Sequence, residues 1–157
     1  MFYIEENGKI VLFDKDFKKI QNTLVFMPQY AHLEILTTER EIITFNDEFM
    51  FADEVQEELA QQKAERIAML FLRRGDVFRG LLKAKGVTKA QIGAMIEAMP
   101  ETTQEEIVAK EMARIDFEDA IEFYRGNALV NTIGLALGIT SEQLDRFFET
   151  NDYTTLL

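Results

Sequence analysis

Four carboxylates fall within seven residues of this chain: Asp116, Glu118, Asp119 and Glu122. On a helix, Asp119 and Glu122, or Glu118 and Glu122, share a face. Two carboxylates so placed could hold a hard cation or work as an acid and base pair. The rest of such a site does not follow. There is no Glu-x-x-His, no Asp-x-Asp-x-Asp-Gly loop and no glycine-rich phosphate cradle. The one histidine, His32, has no second histidine and no nucleophile-bearing motif beside it, and the chain has no cysteine. A triad or a zinc-thiolate site is therefore not expected. A solvated acidic face is the reading that these residues favour. The expectation is a chain that binds rather than catalyses, with no metal and no cofactor.

The basic residues point the same way. Residues 1–62 carry 5 Lys/Arg against 13 Asp/Glu, residues 63–100 carry 8 against 3, and residues 101–157 carry 4 against 12. A basic segment, Lys63 to Lys89, is thus flanked by two acidic ones in a chain of net charge −11. Arg79 and Lys83 lie four apart and share a helix face, and Arg73 and Arg74 precede them. Three readings of this segment stay open: an internal ion-pair layer facing the acidic flanks, a docking stripe for an acidic partner, or a DNA contact. The run Leu82 to Ile92 is similar to the first helix, turn and second helix of repressor-type DNA-binding domains. Its second helix offers Gln91 and no Arg or Asn for base edges, and the acidic balance opposes phosphate backbones. Nucleic acid is therefore not the expected partner. Tyr124 and Arg125 stand at a predicted helix joint, where they could meet a partner or bond loose carbonyls. The candidate partner-binding residues are Arg73, Arg74, Arg79, Lys83, Tyr124 and Arg125.

Two halves of different texture must position these groups. Residues 1–52 read as a small antiparallel ββαβββ module. Asn7-Gly8 is a hairpin signal, because both positions tolerate positive φ. Asp14 is placed to cap a helix burying Phe17, Ile20 and Leu24. His32 to Thr37, Glu41 to Phe45 and Glu48 to Phe51 read as strands. Residues 53–157 read as all-helical, opening with a bridging helix from Asp53 to about Leu72. Further helices are expected over Asp76–Lys85, Thr88–Met99, Thr103–Tyr124, Asn127–Leu137 and Thr140–Glu149. The expected helical core includes Phe71, Phe78, Leu82, Ile92, Ile107, Ile121, Phe123, Ile133, Leu144 and Phe148. The fold class is thus α+β, a sheet module followed by a helical bundle.

Gly86-Val-Thr-Lys-Ala-Gln-Ile and Gly138-Ile-Thr-Ser-Glu-Gln-Leu align with one another. Each predicts a glycine helix stop, a Thr-x-x-Gln capping box and a hydrophobic staple. Duplication of a helix-turn-helix unit would explain the match, but convergence on a good helix joint is the favoured explanation.

The opening Met1-Phe-Tyr-Ile-Glu-Glu-Asn-Gly-Lys-Ile-Val-Leu-Phe-Asp14 resembles small uncharacterised proteins of phages and prophages from gut and mucosal bacteria. So do Ala64 to Leu70, Phe123-Tyr-Arg-Gly-Asn127 and Leu144 to Tyr153. The resemblance implies a setting, a virus-derived protein made in a bacterial cytoplasm, and no mechanism. No basic start with a long apolar run opens the chain, and no stretch approaches the roughly 18 apolar residues of a membrane span. The expected location is the host cytoplasm or the virion. The expected function is that of a non-enzymatic accessory protein binding a viral or host protein, with virion or tail assembly as one setting. Homo-oligomers are compatible with this. The alternatives are an anti-defence inhibitor that masks a nuclease or imitates nucleic acid, and a helix-turn-helix regulator.

Overall fold

A computed structural model describes residues 1–157, in two compact units, Met1–Gln62 and Lys63–Leu157. The first holds β1 (Phe2–Glu6), β2 (Lys9–Asp14), α1 (Phe17–Phe26), β3 (Leu36–Thr37), β4 (Ile42–Phe45) and β5 (Glu48–Phe51). This is the ββαβββ order, in one antiparallel sheet with neighbours β3-β1-β2-β5-β4. Its hairpins turn where the side chains permit left-handed backbone. Asn7 and Gly8 have φ of 54° and 77°, and Asn46 and Asp47 have 49° and 64°. The module buries Ile4 of β1 and Ile20 of α1 almost completely. The cap of α1 is Asp16 rather than Asp14; Asp16 accepts from the Lys18 N–H, and Asp14 accepts from the Asp16 N–H. His32 is exposed in a turn instead of a strand, because the chain stays curled after Pro28. Ala31 N–H donates to the Pro28 carbonyl and Leu33 N–H to that of Tyr30.

Helix α2 (Ala52–Ala68) spans the division at Gln62. The boundary therefore falls inside the helix, later than the sequence pattern placed it. Val55 is its one buried residue, and positions 56–66 are exposed. The helix also stops short of Leu72.

The second unit contains β6 (Phe71–Arg73), α3 (Arg74–Lys85), α4 (Lys89–Glu97), α5 (Gln104–Asp119), β7 (Glu122–Tyr124), α6 (Ala128–Ala136) and α7 (Ser141–Thr150). It is not all-helical. The ends of two expected helices leave as strands and pair antiparallel, Phe71 with Tyr124, Leu72 with Phe123 and Arg73 with Glu122. The apolar run Ile67 to Leu72 has no period that separates helix from strand. Aromatic cross-strand neighbours decide it.

Both glycine joints form as predicted. Gly86 and Gly138 have φ of 67° and 66°, and Thr88 with Gln91 and Thr140 with Gln143 each close a reciprocal capping box. A third box, Thr103 with Glu106, starts α5. The core gathers Leu81, Ile92, Ile96, Phe123, Ile133 and Phe147. Four residues expected in it are outside: Phe71, Leu82, Ile107 and Ile121. No helix is long and apolar enough to cross a membrane.

Candidate protein-docking surface

The six candidate residues separate into three groups. Arg74 and Arg125 are spent inside the fold. Arg74 lies where the ribbon meets α3, and its guanidinium donates to the carbonyls of Glu118 (2.5 Å) and Phe117 (3.4 Å). It thus satisfies carbonyls that the end of α5 leaves open. Arg125 follows β7 and is 6 % exposed. Its Nε donates to Asp145 Oδ1 at 2.7 Å, Nη1 to Asn131 Oδ1 at 2.6 Å, and Nη2 to the Ser141 hydroxyl at 2.7 Å. A longer bond of 3.3 Å reaches the Ser141 carbonyl. Every arm of the fork has a partner from α6 or α7, so Arg125 clasps these helices and has no arm left for another molecule.

Arg79 and Lys83 form the second group. Both lie on the outer side of α3. The Arg79 side chain is 67 % exposed and pairs at 2.5 Å with Asp76, one turn earlier on the same helix. The Lys83 ammonium sits 5.0 Å from the Tyr153 ring centre. Neither faces the acidic flanks from inside, so the ion-pair layer proposed for this segment does not form at Arg79.

The third group is Arg73 and Tyr124, brought together by the β6–β7 ribbon. The strand pleat turns Leu72 and Phe123 inward, and Phe123 is buried. Phe71, Arg73, Glu122 and Tyr124 share the opposite face. Phe71 remains 54 % exposed and Tyr124 46 %, with ring centres 5.8 Å apart. Tyr124 donates its hydroxyl to Glu122 at 3.0 Å. That bond, with the charge of Glu122, raises the phenol above its ordinary pKa. Arg73 is exposed and has no ion pair, although Glu122 lies directly across the ribbon. The flanking Met69 and Ile121 are also largely exposed.

The ribbon is rigidly framed. Arg74 N–H donates to the Ile121 carbonyl, Arg125 N–H to that of Leu70 and Gly126 N–H to that of Ala68. Glycine suits this last point, because a Cβ at position 126 would stand 3.2 Å from the Ala68 carbonyl oxygen, a tight approach.

No family model, curated protein or solved structure matches this chain.

The acidic quartet does not converge. Asp116 accepts from the Asn127 side-chain amide, Glu122 accepts from Tyr124, and no three His, Asp or Glu side chains assemble into a ligand set. Gln91 is held at its cap, accepting from both the N–H and the hydroxyl of Thr88. Sequence reasoning missed two features. Phe71 was assigned to the core, because a helical reading of residues 67–72 hides the pleat that turns it out. The outer face of α5, with Val108, Met112 and Ile115 exposed, was missed as well. Their i, i+4, i+7 spacing was a signal for it.

Proposed function

We propose that this protein is a non-enzymatic accessory protein of phage type that works by docking another protein on the outer face of the β6–β7 ribbon. The carrying observation is the exposed triplet Phe71, Arg73 and Tyr124 on one rigid strand pair. Tyr and Arg are enriched among the residues that dominate binding energy at interfaces. Here the two rings remain half in water while the same unit buries Phe123, Phe147 and Phe148. An exposed apolar patch rimmed by polar groups marks a contact site more often than chance. The backbone bonds that frame the ribbon mean little ordering entropy is lost on docking. The partner that fits presents an apolar patch with a carboxylate beside it, to meet the unspent Arg73. The resemblance of Met1 to Asp14 to phage and prophage proteins supports the setting. A second copy of this chain is disfavoured as the occupant by the net charge of −11.

The test is retention from bacterial host lysate on immobilised protein. One protein should be held in stoichiometric amount by the wild type and by Arg79→Glu. Tyr124→Ala and Arg73→Glu should each lower its retention by more than about tenfold. Sedimentation should give a monomer mass. Equal retention by all four proteins, or a dimer mass lost in Tyr124→Ala, would sink the proposal.

A further inference from the structure

The second group of basic residues lines a cleft that the ribbon proposal does not use. Between α3 and the C-terminal turn, a space of about 160 Å³ is bounded by Asp76, Arg79, Gly80, Lys83, Asn151 and Tyr153, with Phe147 beneath. That is room for several waters, and so for one phosphate-sized group. Arg79 and Lys83 are four apart, and the buried Gly80 between them lies against the Phe147 ring. A side chain at position 80 would run into the Phe147 ring, so glycine lets that ring form the floor of the cleft.

The far wall is fixed. Asn151 caps α7 in the left-handed conformation, with φ of 56° and its N–H on the Phe147 carbonyl. The 3₁₀ turn Tyr153–Leu156 is anchored by Leu156, which is fully buried. Gln143 of α7 donates to the Leu157 carbonyl at 2.9 Å.

The cleft is rich in unspent donors. Arg79 uses only Nη2, on Asp76, and its other N–H groups have no acceptor. Lys83 has no hydrogen bond or ion pair, and the side-chain amide of Asn151 and the hydroxyl of Tyr153 have no partner. Against these donors stands one carboxylate, Asp76. The cleft therefore carries an excess of positive charge on a strongly acidic chain.

We infer that this cleft is a binding site for a phosphate-class oxyanion, free or carried on a larger molecule, held by Arg79 and Lys83 with Asn151 and Tyr153 as neutral donors. A carboxylate brings only two oxygens, both of which a bidentate arginine fork can engage. A phosphate dianion has oxygens for the fork and for the lysine point charge at once. Asp76 then sets the affinity, since it competes with the ligand for Arg79.

The experiment is an amide-resolved NMR titration of the whole chain with inorganic phosphate, and separately with phosphoserine, at constant ionic strength set by chloride. Saturable shifts should centre on Gly80, Lys83, Asn151 and Tyr153. Lys83→Met should weaken binding by about tenfold. Asp76→Asn should tighten it by about threefold, a direction that a merely structural role for Asp76 would not produce. Binding at pH 5 should be weaker than at pH 7.5, because both probes pass from dianion to monoanion between these values. Tyr124→Ala should bind like the wild type, which separates this site from the ribbon. Equal affinity for the two probes means the free anion suffices, and preference for phosphoserine means a phosphorylated partner; both support the site. Linear shifts without saturation, shifts scattered over the surface, or an unchanged affinity in Lys83→Met would overturn it.

Discussion

The two cations that the second unit buries, Lys110 and Arg125, both come from the acidic stretch after residue 100, whereas the basic segment before it keeps Arg73, Arg79 and Lys83 outside. Lys110 donates to the Glu97 carbonyl at 2.6 Å and to the Glu101 carboxylate. Arg125 spends its fork on Asp145, Asn131 and Ser141. A charge survives burial only where enough acceptors surround it. Acceptors are dense where acids are dense, so the acidic block can afford an internal cation. Where cations crowd together, Arg74 reaches the Phe117 and Glu118 carbonyls, while Arg73, Arg79 and Lys83 find no full set of partners and stay in water. Tyr124 and Arg125 show the same division across one peptide bond: the pleat sends Tyr124 out and the next residue in.

The sharpest way to break this comparison is to remove the buried fork. Arg125→Met should cost about 3–5 kcal/mol in a urea melt, because Asp145, Asn131 and Ser141 all lose a partner. A loss below 1 kcal/mol would show that the clasp does not hold α6 and α7 together. Lys110→Met should cost less, about 1–2 kcal/mol, since the half-exposed Glu101 carboxylate can return to water and only the Glu97 carbonyl is left short. If Lys110→Met proved the costlier of the two, the ranking by number of partners would be wrong.

The outside of the comparison predicts small changes. Arg79→Glu should move stability by no more than about 0.5 kcal/mol, because the side chain faces water and its pair with Asp76 is a surface one. A large drop would return Arg79 to an internal layer. The smallest effect is on Tyr124. Its phenol should ionise above the ordinary value of 10.0, since the Glu122 hydrogen bond stabilises the protonated form. Glu122→Gln should bring the ultraviolet titration back toward that value. The raised pKa makes this bond a stabilising one at neutral pH, lost only as the phenol ionises at alkaline pH. A titration unmoved by Glu122→Gln would mean the two side chains are not joined on the ribbon face.

Much of the fold was legible in the sequence. The ββαβββ order, the Asn7-Gly8 hairpin and the paired joints at Gly86 and Gly138 follow from local chemistry, because positive φ and capping boxes are decided within a few residues. The β6–β7 ribbon was not legible. Residues 71–73 and 122–124 meet across half the second unit, and no local period reports a long-range pair. That omission also misplaced Phe71 and Ile121 as core residues. The candidate cations could be named from sequence, yet their roles could not be sorted. Burial of Arg125 depends on acceptors at 131, 141 and 145 that only the packing of α6 against α7 brings around it.

The claim that the outer ribbon face is where a partner docks is tested most directly by a photo-reactive side chain placed on it. Phe71→p-benzoylphenylalanine keeps an aromatic group on the proposed surface, and the same replacement at Leu135 puts it on the exposed side of α6. After irradiation in bacterial host lysate, position 71 should give one dominant protein adduct that Arg73→Glu abolishes, and position 135 should give none. The same adducts from both positions, or none from position 71, would contradict the account.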